Sequence, residues 1–430
     1  MASDFLWRAF PAACIIIPCL TGVGCRSYEA APIDWTRAAS DWSAAATNRP
    51  LVTHEASRQC ALTLNPAINA LRLKHLSSQR HAQAAGWWED PELDLDGLRV
   101  LRGGPHPWII GSGLSFAVPL NGVPGIEKLA AQAYGRADAF AVTVGERELI
   151  AEVDRAWAQS VALEQRTALA AAYAERVGHW ERMVQDLVSG GELAKIESDR
   201  FLQERSRLRL EQEQLAAEAS ASRKALLRLL GFHPAAPIDF AWGTRGQEPV
   251  ATFPDEEALI RHPRVQEKLA RLEASEEALR AEIRRQYPDL MIGPALEHEE
   301  GGPRLGLSLG LTLPLWNRNR RGVAQAEGER GLARHDALAE WQGLVSDLHE
   351  TREALQFAEE AARLIRENRL PEARNAAARV EKLFKTGEAD VLAVAEAEQT
   401  LYEIQKAEAE ARLAVEVARI RAAKLAVDNP

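Results

Sequence analysis

Residues 304–315 read Arg304-Leu305-Gly306-Leu307-Ser308-Leu309-Gly310-Leu311-Thr312-Leu313-Pro314-Leu315. Leucine alternates with a small or hydroxylated residue from Leu305 to Leu313, and a period of two puts these five leucines on one face of a strand. A second extended segment, 289–297, precedes it across Gly301-Gly302-Pro303, a turn composition. Upstream, segments 92–101 and 108–120 flank Gly103-Gly104-Pro105 in the same way. There Leu93, Leu95 and Leu98 stand against Asp94 and Asp96, and Leu114, Phe116 and Val118 against Ser115 and Ala117. Two hairpins are predicted. Such strands suit a soluble sandwich or, with Trp87, Trp88, Trp108 and Trp316 near their ends, a transmembrane barrel with an aromatic girdle. Four strands cannot close a barrel, since the smallest bacterial ones need about eight. The second option therefore requires several copies of the chain.

The hairpins belong to a longer duplication. Asn65-Pro66-Ala67-Ile68 matches His262-Pro263-Arg264-Val265, and Pro91-Glu92-Leu93 matches Pro288-Asp289-Leu290, both at a spacing of 197 residues (66 to 263, 91 to 288). Val118-Pro119-Leu120-Asn121 and Leu313-Pro314-Leu315-Trp316-Asn317 follow at 195, and Gly191-Glu192 and Gly387-Glu388 at 196. Landmarks in one order at nearly constant spacing define two copies of one unit, 66–240 and 263–427, joined by a linker at 241–262. In each copy a helix starts at the Asn/His-Pro landmark, where proline is favoured; in copy two it is 265–286.

After each hairpin the chain turns helical for a long distance. Of 21 prolines in 430 residues none lies between Pro124 and Pro234, where an average content of about 5% would put roughly five. Pro314 to Pro371 is nearly as bare, and long helices exclude proline. Residues 125–189, if continuous, would reach about 100 Å at about 1.5 Å per residue. The chain then turns at Ser189-Gly190-Gly191 and returns over 192–230. Copy two repeats this with 321–385, predicted to break near Pro371, a turn at Thr386-Gly387 and a return over 388–427. Leu401, Ile404, Ala411, Val415 and Ala418 recur at helical steps, so antiparallel coiled-coil packing is expected.

A net charge of -10 and a pI near 5.6 exclude the basic face of a nucleic-acid binder. No HExxH, Walker, GxSxG or complete GxGxxG motif is present; Gly111-Ser112-Gly113 lacks the third glycine, so no catalytic or cofactor site is predicted. Glu297-His298-Glu299-Glu300 reads as a solvated charge run rather than a metal site. The four cysteines, Cys14, Cys19, Cys25 and Cys60, form no CxxC pair. Arg8 and the short apolar run 9–20 form a signal-peptide pattern. Thr21-Gly22-Val23-Gly24-Cys25 resembles a bacterial lipobox, with Gly22 where leucine is usual. That resemblance makes 1–24 a signal peptide, Cys25 the acceptor of diacylglycerol and palmitate, and 25–65 an N-terminal anchor and extended segment. No later run reaches the roughly 18 apolar residues of a spanning helix.

Two copies of helix, β-hairpin and long helical hairpin behind an acylation signal resemble the TolC-type outer-membrane efflux family over residues 60–427. The specific parts are the duplicated hairpins, Pro119-Leu120-Asn121-Gly122 and Leu313-Pro314-Leu315-Trp316-Asn317-Arg318-Asn319-Arg320 at the strand-to-helix junctions, and the glycine-containing turns. The Trp-Asn-Arg-Asn-Arg string and acyl-cysteine look most like its heavy-metal resistance branch. The resemblance implies a mainly α fold with a small transmembrane β part, built as a homotrimer whose chains share one twelve-stranded barrel above a periplasmic helical cylinder. Leu305, Leu307, Leu309, Leu311 and Leu313 would then face outer-membrane lipid. It also implies an exit duct serving an inner-membrane exporter, of RND type, through a periplasmic adaptor, and no nucleic-acid partner. A rival reading is a periplasmic coiled-coil adaptor or scaffold lipoprotein, which would carry one hairpin rather than two.

Carried onto this sequence, the adaptor-docking tip comprises Gly190, Gly191, Glu192 and Leu193 in copy one and Phe384, Gly387, Glu388 and Ala389 in copy two. The glycines permit a left-handed turn, and they equally suit ordinary helix C-caps. Phe384 stands where the family often has an aromatic that holds the aperture closed, and coiled-coil packing is the other reading. Glu197, six residues after Gly191, would form a three-fold acidic ring favouring cations, where copy two has Ala393; a solvated helix face is the alternative. Glu197→Gln is expected to lower the single-channel preference for cations over anions, and an unchanged reversal potential would remove the ring.

Overall fold

The computed structural model describes residues 27–44, 51–99, 108–243, 253–299 and 302–427. The chain divides into a first unit ending at Ala45 and a second beginning at Ala46. The described part of the first is a single helix, α1 (Trp35–Ala44), whose start is capped by the Asp34 carboxylate accepting from the Arg37 amide at 3.0 Å. Cys25 lies outside the described residues.

The second unit begins with β1 (Leu51–Val52), α2 (His54–Leu64) and α3 (Pro66–Ala84). The helices α1 and α2 correct the expectation of an extended segment over 25–65. Then follow β2 (Glu92–Arg99), β3 (Trp108–Val118), α4 (Val123–Ser189), α5 (Lys195–Leu229) and β4 (Asp239–Phe240). The second copy is α6 (Pro263–Arg284), β5 (Leu290–Glu299), β6 (Gly302–Leu311), α7 (Arg320–Leu364), α8 (Leu370–Lys385) and α9 (Val391–Lys424).

The landmark that reveals the duplication does the same work in both copies. The Asn65 side-chain oxygen accepts from the Ala67 amide at 2.9 Å, capping α3, while its amide donates to the Leu229 carbonyl at the end of α5 at 2.9 Å. His262 repeats this: Nδ1 accepts from the Arg264 amide at 3.2 Å, and Nε2 meets the Lys424 carbonyl at the end of α9 at 2.9 Å. Each residue is buried and ties the first helix of its repeat to the last. In the first copy, Trp157 sits among Val52, Leu226, Leu230 and Phe240. The parallel pair β1–β4 brings the segment before α2 to the segment after α5. Leu259, Val265, Leu344, Leu348 and Leu425 form the corresponding core of the second copy.

The sheet is antiparallel in the order β2-β3-β5-β6, so the β3–β5 seam joins the two copies. Residues opposite one another share a face. The register therefore collects Leu93, Leu95, Ile110, Phe116, Ile292, Leu296, Leu305, Leu307, Leu309 and Leu311 on one side. Asp94, Asp96, Gly111, Gly113, Ala295, Glu297, Arg304, Gly306, Ser308 and Gly310 occupy the other. Two expectations change. Leu98 pairs with Ile109 and falls on the second face, and Leu313 lies beyond β6, which ends at Leu311 before Pro314 can interrupt its ladder. At Gly293 the backbones of the seam approach so closely that an added Cβ would lie 1.6 Å from the Leu114 carbonyl oxygen.

The 67 residues of α4 form an unbroken helix of about 100 Å. The break expected at Pro371 is absent: residues Ile365–Arg369 form a π-helical turn and the chain continues directly into α8. Proline cannot donate to the carbonyl four residues back and crowds it, and widening the turn to i→i+5 bonding accommodates both effects without ending the helix.

Two outcomes follow. Gly293→Val is expected to open the β3–β5 seam, seen as loss of the β signal in circular dichroism while helicity persists. Burial, the largest influence on His262, lowers its pKa below the ordinary 6.5 and keeps it neutral. Its folded-state value thus lies under the unfolded one, so its contribution to stability is complete above pH 6.5 and declines as pH falls through the depressed value. His262→Asn should keep the tie and flatten that decline in thermal melts, whereas His262→Ala should cost about 1–3 kcal/mol at every pH.

Candidate functional site

The two helical hairpins end together. Tyr173, Val177, Trp180 and Val184 of α4, Phe201 and Leu208 of α5, and Val391, Val394 and Tyr402 of α9 form one apolar cluster, with Leu193, Val380 and Phe384 packed on it. Trp180 meets Phe384 edge to face at 5.4 Å between ring centroids, and Tyr173 stacks on Tyr402 at 4.4 Å. In this chain Phe384 packs α8 against α4.

Both turns are built alike. Gly191 (φ 79°) and Gly387 (φ 77°) take the left-handed conformation. Gly191 donates to Val188 at 3.1 Å and Glu192 to Leu187 at 2.9 Å; Gly387 donates to Phe384 at 3.0 Å and Glu388 to Leu383 at 2.9 Å. This is the Schellman arrangement of a helix C-cap, so the capping reading holds at both positions. Gly190, Gly191, Glu192 and Leu193 lie in the first turn and precede α5, which starts at Lys195. Ala389 precedes Asp390, whose carboxylate accepts from the Ala393 amide at 2.8 Å and caps α9. Gly191 and Gly387 have open space where a Cβ would be, leaving both turns accessible. Glu197 lies in the first turn of α5, and its side chain is outside the described residues.

Behind the turns runs a polar network that joins the two hairpins. Arg176 of α4 hydrogen-bonds Glu398 of α9, a carboxylate only 4% exposed. Tyr402 of α9 donates to Glu211 of α5 at 3.0 Å, and the Lys406 ammonium lies 2.9 Å from the same carboxylate. Tyr173 donates to Glu204 at 3.0 Å. Burial, the strongest influence on Glu398, raises its pKa against the pull of Arg176, and Glu381 adds to the rise. At Glu211 burial also pushes upward, but hydrogen bonds from Lys406 and Tyr402 outweigh it and hold the carboxyl below its usual 4.5. Sequence reasoning missed these residues because the partners are far apart in the chain. The signal available was the placement of Tyr173, Trp180 and Tyr402 in helices otherwise rich in alanine and charge.

Two copies of this arrangement, each a hairpin of strands leading into a long helical hairpin, are open to comparison with known proteins. Residues 256–426, essentially the second copy, match the outer membrane efflux protein family. The first copy lies outside that match. Among curated proteins, the chain is similar to the cobalt-zinc-cadmium resistance protein CzcC of Cupriavidus metallidurans, 24% identical over 260 residues, or 60% of this chain. The match spans 62% of CzcC, about three fifths of its length. The solved structure of CusC superposes with a TM-score of 0.75 at 14% identity, covering 87% of this chain and 92% of CusC. A membrane protein from Pseudomonas aeruginosa gives 0.76 at 17%, covering 94% and 96%, and VceC of Vibrio cholerae gives 0.74 at 15%, covering 86% and 95%. These likenesses establish the fold of the chain through both repeats.

The inter-hairpin network is open to titration. Glu211, with its folded-state pKa depressed, contributes stability that is complete above pH 4.5 and is lost as pH falls through the lower value. Glu211→Gln should flatten the acid limb of the thermal-stability curve. A double-mutant cycle with Tyr402→Phe is expected to give a coupling of about 1 kcal/mol; additive effects would show that the bond carries no coupling.

Proposed function

We propose that this chain is the outer-membrane exit duct of a tripartite efflux system, conducting substrate passively from periplasm to exterior. The observation that carries this is the sheet: four strands whose edges, β2 and β6, are open, with one face that is mostly apolar, interrupted by Ser112 and by Arg99 and His298 toward one end, and one face rich in small and charged residues. Leu305, Leu307, Leu309 and Leu311 are more than half exposed. Water would penalise this surface, and lipid would not. Three copies joined edge to edge would make a closed barrel of twelve strands, with that face toward the bilayer. The helical hairpins would then continue the duct through the periplasm, with energy supplied by an inner-membrane exporter of RND type and contact made through an adaptor at the two turns. Cys25 would be the acylated anchor.

The cargo we infer is divalent metal cations. CzcC is named for cobalt, zinc and cadmium resistance, and among the described strand residues the polar face carries Asp94, Asp96 and Glu297 against one cation, Arg304. An acidic lining lowers the barrier for cations and raises it for anions. Heat-modifiable gel mobility and single-channel recording of the purified protein test the duct. A trimer that conducts with cation preference is expected, and a soluble protein or a monomer without β signal in detergent would end this reading. Leu307→Arg combined with Leu309→Arg places charge in the bilayer at a cost on the order of 2–4 kcal/mol each near the midplane, so the heat-modifiable trimer should disappear.

A further inference from the structure

The junction between β6 and α7 holds features that conduction does not require. Arg318 (φ 45°) and Asn319 (φ 49°) are, among the described residues, the two non-glycine residues in the left-handed region. Backbone of this kind persists only where neighbours fix it. Here the Asn319 amide donates to the Glu282 carbonyl at 2.8 Å and to its carboxylate at 2.6 Å, pinning the bend to the end of α6. The bend holds Trp316 88% exposed beside Leu313 and Leu315, which continue the leucine series of β6 past the strand end. Trp87 and Trp88, also exposed, border the same cavity of about 750 Å³, together with Tyr287 and Arg318.

Arg318, Arg320 and Arg321 are exposed, and no hydrogen bond or ion pair of their side chains is present among the described residues. Two of them open α7, which has no acidic residue in its first turn. Cations at the positive end of a helix dipole weaken the helix unless an anion is present. The same backbone end and three guanidinium forks suit a phosphate, which arginine binds through paired hydrogen bonds. We propose that this junction is a phospholipid headgroup site, in which Arg318, Arg320 and Arg321 hold the phosphate and Trp316, Trp87 and Trp88 pack around the glycerol and upper acyl chains. The site rests on the exit-duct reading, which puts the apolar face of β6 in the bilayer and this loop at its periplasmic boundary. Lipid is the occupant because the shelf is continuous with that face, and because indole and guanidinium side by side match the layering of an interface.

The test uses the full-length trimer reconstituted in nanodiscs of phosphatidylethanolamine and phosphatidylglycerol, or of a glucosyl-diacylglycerol that lacks phosphate. Native mass spectrometry after detergent extraction reads the lipid retained. Wild type should retain the phosphate-bearing lipids in preference to the glycolipid, and Arg318→Gln with Arg320→Gln and Arg321→Gln should reduce that retention by about tenfold or more. Equal retention of the two lipid classes by wild type overturns the site without any variant. So does a triple variant, trimeric on the gel, that keeps phospholipid as wild type does. Wild-type conductance in the same lipids separates the two ideas: conduction without phosphate preference removes this site alone, and absence of a trimeric channel removes the duct.

Discussion

Each repeat is closed by one small polar side chain that serves two helices at once. Asn65 caps α3 and holds the final carbonyls of α5, and His262 does the same for α6 and α9. From that tie to the turn the hairpin runs the 35 residues of α5, about 50 Å, a lever arm long enough that a loose base would let its far end wander. Fixing start to finish at the base sets where the distant turns lie. Both ties are buried, and the loss of either partner would leave a helix carbonyl without its bond in a dry environment. The exchange of asparagine for histidine between the copies is chemically intelligible: each offers one acceptor and one donor in opposite directions.

From that base the two ends of each repeat take different solvents. At one end, strand register sorts leucine from aspartate and glycine with a period of two, giving a sheet that can face lipid and water on opposite sides. At the other, buried aromatic rings and ion pairs bind one hairpin to the next, with glycine turns left open beyond them. Among the described residues the fold offers surfaces, edges and open clefts in place of an enclosed site.

Much of this was legible in the chain. Proline-free runs marked the long helices, and α4 begins and ends within two residues of the expected positions. Alternation around Leu305–Leu311 marked β6, and the glycines of both turns fell where the duplication put them. What escaped had physical causes. The helices α1 and α2 lie in a stretch whose apolar residues are too sparse for a clear period, so their capping residues, Asp34 and Thr53, were the only local signal. Arg176 and Glu398 are 222 residues apart, and no local pattern announces a pair brought together by two separate hairpins. Leu98 was grouped with Leu93 and Leu95 by composition, although its odd spacing from them already placed it on the other face.

The π turn at Ile365–Arg369 explains one more regularity. Buried positions along α7 are Leu344, Leu348, Thr351 and Leu355, stepping by four and three. Carried forward unchanged, that rhythm would reach 369, 372 and 376, but the buried residues of α8 are Leu370, Ala373 and Ala377, each one place later. The wide turn inserts one residue, a rotation of about 100°, and so resets the phase of the seam. Val380 and Phe384 follow in the new phase, and it is this offset that delivers Phe384 to Trp180. The proline that seemed to threaten the helix is thus next to a phase adjuster, and removing one residue there would leave the rod intact while turning its far end to the wrong neighbour.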